Sequence, residues 1–288
     1  MWKNKLCLGL MRTIGVDTLE TEAEIHMLRE TGFEGFFSEW NGLEGLKRCR
    51  AAADAEGMAY QSVHAPFGKS RDIWHGSPDA AQAAVDELMR CLEDCAEIQA
   101  PIMVVHAFIG FEDHRPNQEG LDRFEQVIRR ARRLGVKIAF ENTEGIEYLD
   151  AVMRLGQDYE DCVGFCWDTG HEMCYNWSED MPARYPGRMI ATHINDNLGI
   201  RDFGGRITWI DDLHLLPFDG IRDWQYVAEK LKDFEGPLTF ELTTHSKPGR
   251  HENDKYSRMS AADYLAEAYS RACRVAALID RARKTKPL

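Results

Sequence analysis

A chain of 288 residues, 44% hydrophobic and 29% charged, carries enough apolar side chain for a sizeable core and excludes a disordered or low-complexity protein. Acidic residues outnumber basic ones 48 to 35, a net charge of −13, which argues against gripping a phosphodiester backbone; nucleic acid is not an expected partner. No apolar run approaches the roughly 20 residues that span a bilayer, and "MWKNKLCLGLMRTIG" offers no small-residue cleavage site, so a soluble, cytoplasmic protein without a membrane partner is expected.

In chain order, short β-rich apolar runs alternate with stretches of helical period. The first strand candidate, "KLCLGL" (5–10), precedes the helical "TLETEAEIHMLRETG". "FEGFF" (33–37) and "AYQSVH" (59–64) follow, then a long helix in "DAAQAAVDELMRCLEDCAEIQA" and the strand "IMVVHAF" (102–108). "GLDRFEQVIRRARRLG" reads as a helix with its arginines in solvent, leading into "VKIAFE" (136–141). "VGFCWD" (163–168), "MIATHI" (189–194) and, after the helix "DWQYVAEKLKDFEG", "LTFELT" (238–243) complete eight strands; a helix over 260–283 ends the chain. Gly32, Gly135 and Gly236 precede strands, where helix C-caps are expected. Eight strand–helix units predict a single-domain (β/α)8 TIM barrel over residues 1–288. The alternative, an open doubly wound sheet, usually carries a phosphate loop after its first strand, and "GLMRTIGVD" contains neither GxGxxG nor GxxxxGKS/T. The eight cysteines include no CxxC pair. Cys91 and Cys95 fall on a helix and Cys162 and Cys166 flank a strand, so all read as reduced core residues.

The C-terminal strand ends of such a barrel build its active site. From the third strand to the eighth those ends carry His64, His106, Glu141, Asp168, His193 and Glu241. Roughly one residue in five is His, Asp or Glu, so six in succession has chance odds of about one in ten thousand. Singly they admit plainer readings: His64 and His106 as satisfied core histidines, Asp168 in "GFCWDTGHE" as a helix N-cap before the Thr169-Gly170 turn. Glu141 and Glu241 are harder to explain that way. Each follows a phenylalanine in an apolar strand, and alternation turns the carboxylate to the opposite face, into the barrel mouth. A carboxylate there needs a cation or hydrogen bonds, and with Asp168 alongside, a shared divalent ion is the economical explanation. The loop "DDLHLLPFDG" (211–220) adds Asp212 and His214, which extended backbone would project to one side. Asn195 and Asp196 stand at the same rim, and Trp40, Phe67, Phe108, Trp167 and Trp209 are candidates to wall a sugar-sized pocket. "HSKPGRHEND" (245–254) supplies Lys247, Arg250 and His251, which read as a solvated loop or as a site for an anion or a partner chain.

The set "SVHAPF", "VVHAF", "AFENTEG", "WDTGHE", "THINDN", "DDLHLLPFDG" and "TFELT" resembles the xylose isomerase-like TIM-barrel superfamily, and within it the sugar phosphate isomerase/epimerase group. From the ketose 3-epimerases of that group, the resemblance implies a divalent metal on Glu141, Asp168, His193 and Glu241. The two glutamates would form the proton-transfer pair, and His171 of the D-T-x-H motif would contact substrate. The superfamily's zinc-dependent apurinic-site endonucleases imply instead a three-zinc cluster on His64, His106, Glu141, Asp168, His171, His193, Asp212, His214 and Glu241. "DLHLLPFDGIRDW" is closer to the corresponding segment of the sugar enzymes, with Phe218-Asp219 a departure, and only Arg201 or Arg206 could stand for the epimerase arginine. The expectation is a metal-dependent isomerase or epimerase of a sugar or sugar phosphate, working through an enediolate with Mn2+ or Mg2+, or with Co2+ or Zn2+. His64, His106, His171, Asp212, His214, Asn195, Trp40 and Trp167 would meet the small carbohydrate. The alternatives are a metal-dependent lyase or dehydratase on a keto-sugar, the zinc-cluster phosphodiesterase, and a sugar-binding barrel without catalysis. A homo-oligomer is compatible with all of them.

Overall fold

The computed structural model describes residues 2–10, 19–112, 115–201 and 205–285; most of the segment searched for a phosphate loop, 11–17, lies outside them. Eight strands, β1 (Leu6–Gly9), β2 (Gly35–Glu39), β3 (Ala59–His64), β4 (Ile102–His106), β5 (Lys137–Glu141), β6 (Val163–Asp168), β7 (Met189–His193) and β8 (Leu238–Phe240), form one parallel sheet in the order β7-β6-β5-β4-β3-β2-β1-β8. The sheet curls until its edges meet. Between β7 and β8 a single parallel bridge, Ile194 to Phe240, closes it, with the Ile194 N–H donating to Thr239 O at 2.8 Å. The expected (β/α)8 barrel is therefore present.

Around it run α1 (Thr21–Thr31), α2 (Leu43–Glu56), α3 (Ser70–His75), α4 (Pro78–Glu97), α5 (Gln118–Leu134), α6 (Ile146–Leu155), α7 (Thr169–Cys174), α8 (Met181–Arg184), α9 (Trp224–Leu231) and α10 (Ala261–Lys284). Local chemistry sets their limits. Ser77 caps α4 ahead of Pro78, and Asn117 caps α5, its Oδ1 accepting the Gly120 N–H at 2.8 Å. Along α5, Phe124, Val127, Ile128 and Ala131 are buried while Arg129, Arg132 and Arg133 face solvent, as their spacing predicts. Gly32 and Gly135 end α1 and α5 in the left-handed conformation, φ 116° and 74°. Gly236 does not cap a helix. α9 stops at Leu231, the Phe234 N–H closes on Leu231 O, and Gly236 belongs to the turn before β8. Arg283 ties the last helix to the start of the barrel, donating to Asn4 Oδ1 at 2.7 Å and Phe234 O at 2.9 Å.

Alternation along the strands separates two apolar regions. Small residues fill the lumen: Val104, Ala139, Cys166 and Ala191 pack together below the mouth. Their neighbours Phe140, Phe165 and Trp167 point outward into the larger core between sheet and helices. All eight cysteines are free and seven are buried. Among the described residues no helix is long and apolar enough to cross a membrane.

Candidate metal centre

The residues two positions after Ala139, Cys166 and Ala191 share their face of the sheet, so Glu141, Asp168 and His193 emerge at the mouth of the lumen, fully buried. Strand register sets Glu141 beside His106 and Asp168 beside His193. Glu241 follows β8 by one residue and is held by its N–H, which donates to Ile194 O at 3.2 Å. His193 Nδ1 lies 3.1 Å from Glu141 Oε1 and 3.1 Å from Glu241 Oε2. One donor atom from each of Glu141, Asp168, His193 and Glu241 falls within 4.8 Å of the other three. Two smaller groups flank this quartet. His64 Nε2 is 3.2 Å from His106 Nε2, and both are 3.3 Å from Glu141 Oε2. On the other side His214 Nε2 and His171 Nε2 lie 2.9 and 3.4 Å from Asp212 Oδ1.

Backbone carbonyls set the tautomers of three of these histidines. Ala65 O, Asn142 O and Glu241 O stand 2.9, 3.0 and 3.1 Å from the Nδ1 atoms of His64, His171 and His214. A carbonyl only accepts, so those nitrogens carry protons and, in the neutral rings, Nε2 is left as a lone pair facing a carboxylate. Glu141 Oε2 and Asp212 Oδ1 are buried with no hydrogen bond of acceptable geometry. Acceptors turned toward acceptors in a buried site persist only with protons or a cation between them. The residues fit a divalent cation: nitrogen and carboxylate donors converge, with the far side of the imidazole anchored in three of the histidines.

Charge follows the same geometry. Burial would raise the Glu141 and Glu241 carboxyls, but His193, with His106 and His171 around Glu141 and His214 beside Glu241, holds Glu141 well below the usual carboxylate range and Glu241 at about 2. Burial wins at Asp168, pushed up to about 6 despite His171 and His214. His193 is itself buried, which alone would lower it, yet Glu141 and Glu241 raise it well above an ordinary imidazole. Two ionised glutamates thus share one imidazole.

Asp168 caps a helix, as the plainer reading of its motif has it, and also contributes a donor atom to the quartet. Its Oδ1 accepts the His171 N–H at 2.6 Å, capping α7, while Oδ2 accepts from Asn195 Nδ2 at 2.9 Å. Asn195 therefore braces the aspartate and does not line the cavity. Asn142, which sequence reasoning passed over, clamps the Asp168 backbone: its Nδ2 donates to Asp168 O at 2.9 Å and its Oδ1 accepts the Asp168 N–H at 2.8 Å. Asn195→Ala is expected to leave the fold intact and weaken Mn2+ binding about 10- to 100-fold in titration calorimetry. Wild-type affinity would show that the brace does not matter.

Above the donors opens a cavity of about 330 Å³, bounded by His64, His106, His171, Asp212, His214 and Glu241, with Phe67 stacked on His106 at its side. Trp40 and Trp167 are not brought there. Trp40 Nε1 donates to Asp94 Oδ2 of α4 at 2.7 Å; Trp167, next to Asp168 on an alternating strand, faces outward and donates to Glu172 Oε2 at 2.8 Å. Phe108 stacks on Tyr148 in the outer core. Neither Arg201 nor Arg206 lines the cavity. Asp196 accepts the Phe218 and Arg222 N–H groups and Trp224 Nε1, pinning the loop over the mouth. His214 reaches Asp212 from a left-handed backbone, φ 46°, not from the extended one expected. Glu39 was missed because β2 runs two residues past "FEGFF"; it pairs in register with His64 and lines the cavity.

Residues 12–268 match the family described as xylose isomerase-like TIM barrel. The uncharacterised protein y4fM of Sinorhizobium fredii (strain NBRC 101917 / NGR234) is 28% identical over 300 residues, 90% of this chain and 89% of the relative. A xylose isomerase domain protein from Planctomyces limnophilus superposes with a TM-score of 0.72 at 15% identity, over 97% of this chain and 99% of that one. An L-ribulose 3-epimerase superposes with a TM-score of 0.67 at 14% identity, over 99% and 100%. At such identities the two structures share the fold, and it is the family match across most of the length that decides: the chain belongs to the xylose isomerase-like TIM barrel family.

Proposed function

We propose that this protein is a divalent-metal-dependent isomerase or epimerase of a small carbohydrate. The observation that carries the reading is the pair of glutamates, each with an oxygen 3.1 Å from His193 Nδ1, at the floor of a cavity of about 330 Å³. That volume lies at the small end of ligand pockets, about 300–1,000 Å³. Glu141, Asp168, His193 and Glu241 would hold the ion, which when bound would polarise a sugar carbonyl and acidify the neighbouring C–H. Glu241, which borders the cavity, would take that proton, the C–H electron pair forming a double bond to the carbonyl carbon as the carbonyl π pair moves onto oxygen to give an enediolate. Return of the proton from Glu241 to the neighbouring carbon would give the isomeric sugar; the epimer would require Glu141, deeper beneath His64 and His106, to take up a solvent proton and deliver it to the opposite face while Glu241 releases its own. His171, Asp212 and His214 would orient hydroxyls, and the aromatic face of Phe67 would exclude water.

Elemental analysis of purified protein, followed by a ketose and aldose panel in deuterated buffer, tests this. Solvent deuterium should enter one sugar, cease with EDTA and resume with Mn2+. Fully metal-loaded protein that exchanges no sugar C–H overturns the reading.

A hydrolytic centre is the second reading, favoured by overlapping donor groups, among them His64/His106/Glu141, Glu141/Asp168/His193/Glu241 and His171/Asp212/His214, which together hold more donors than one ion can take. Three zinc ions per chain together with cleavage of an abasic duplex would put a phosphodiesterase in place of the isomerase.

A further inference from the structure

We infer that the substrate carries an anionic group, a phosphate or a carboxylate, and that Lys247 is the residue that selects it; this rests on the cavity over the glutamates being the substrate site. The acidic side chains lining that cavity are Glu39, Asp212 and Glu241, and Lys247 is the one lysine or arginine lining it among the described residues. A pocket built for a neutral polyol needs no ammonium among its carboxylates. The basic residues that follow β8 have divided tasks. Arg250, buried, donates to Asp211 Oδ1 at 2.5 Å and to Glu252 Oε1 at 2.9 Å; His251 pairs with Asp254 at 3.0 Å. Asn253 Nδ2 donates to Leu213 O and Thr243 O, at 3.0 and 2.9 Å, joining this loop to the one that carries Asp212 and His214. These contacts build the loop, and Lys247 is the cation it presents inward.

Its ammonium is only partly engaged, one long hydrogen bond to Asp212 taking one of its three N–H donors. Nζ lies 3.4 Å from Asp212 Oδ2, longer than the about 2.7–2.9 Å of a charge-assisted hydrogen bond. The other Asp212 oxygen already faces His171 and His214. The Trp209 ring lies 5.6 Å from Nζ, a cation–π contact that steadies the side chain without using its N–H donors. An anion at the far end of a sugar lying on the glutamates would meet these donors.

Calorimetry on the metal-loaded protein tests the inference with a fixed panel: D-fructose, D-xylulose and D-ribulose, their terminal phosphates, and the matching aldonates. At least one anionic sugar should bind about tenfold or more tighter than its neutral counterpart. Lys247→Met should erase that gain while changing the neutral sugar less than about twofold. The phosphate and aldonate arms separate the two anions. A neutral sugar binding as tightly as both anionic forms, no binding of any anionic sugar, or an equal fall for all ligands in Lys247→Met overturns it; the last outcome would mean that Lys247 only neutralises Asp212. Failure of the isomerase proposal reads separately: Lys247-dependent anion binding with no C–H exchange would sink the reaction and keep the substrate class.

Discussion

Glu241→Gln is expected to lower solvent-deuterium exchange into the sugar C–H by at least about a thousandfold, the contribution of a positioned general base. Gln keeps the shape of the side chain and one oxygen but cannot take the proton, and Glu241 is the member of the pair that borders the cavity. Glu141→Gln is expected to abolish exchange as well, for a partly different reason. Its carboxylate faces His64, His106, His171 and His193 within 3.3 Å, so metal content should fall along with the rate. Both variants should show the wild-type circular dichroism spectrum. Wild-type exchange by metal-loaded Glu241→Gln would remove the proposed base and the mechanism with it.

Arg222→Met is expected to destabilise the metal-free protein by about 3–5 kcal/mol in urea unfolding, because it leaves a buried carboxylate without its counter-ion. Arg222 and Glu172 form an ion pair at 2.5 Å with side chains 5% and 1% exposed. Glu172 Oε2 also accepts from Trp167 Nε1 at 2.8 Å and from the Met181 N–H at 3.2 Å, and the guanidinium lies over the Trp167 and Tyr226 rings. Since Glu172 adjoins His171 on α7, the pair links the helix bearing one donor to the loop bearing Asp212 and His214. Adding Glu172→Gln should restore most of the loss, since it removes the second charge and keeps an amide oxygen to accept from Trp167 Nε1 and the Met181 N–H. A single variant within about 0.5 kcal/mol of wild type would show that water reaches the pair.

Much of this site is legible in the strands. "AYQSVH" and "VGFCWD" coincide with β3 and β6, and their last residues, His64 and Asp168, join the donor groups. That success has a local cause: a period of two residues tells which side chains share a face, and an apolar strand that ends in a carboxylate is visible without neighbours. The same rule, applied consistently, would have excluded Trp167, which sits next to Asp168 and so must point the other way. Trp40 had no such signal; its partner Asp94 belongs to a helix remote in the chain. Glu39 leaves no such signal, because the apolar run ends at Phe37 while β2 continues two residues further.

The amino-acid order alone determined the barrel, its helix caps at Gly32 and Gly135, and the ring of ionisable strand ends, because these depend on periodicities a few residues long. Tertiary structure alone decided how the donors cluster into overlapping groups, which imidazole nitrogen each carbonyl occupies, and that Lys247 rather than Arg250 faces the cavity. Those outcomes depend on strand register around a closed sheet and on two long loops, one pinned internally by Asp196 and joined to the other through Asn253. Contacts between segments so far apart in the chain leave no periodic trace in either one.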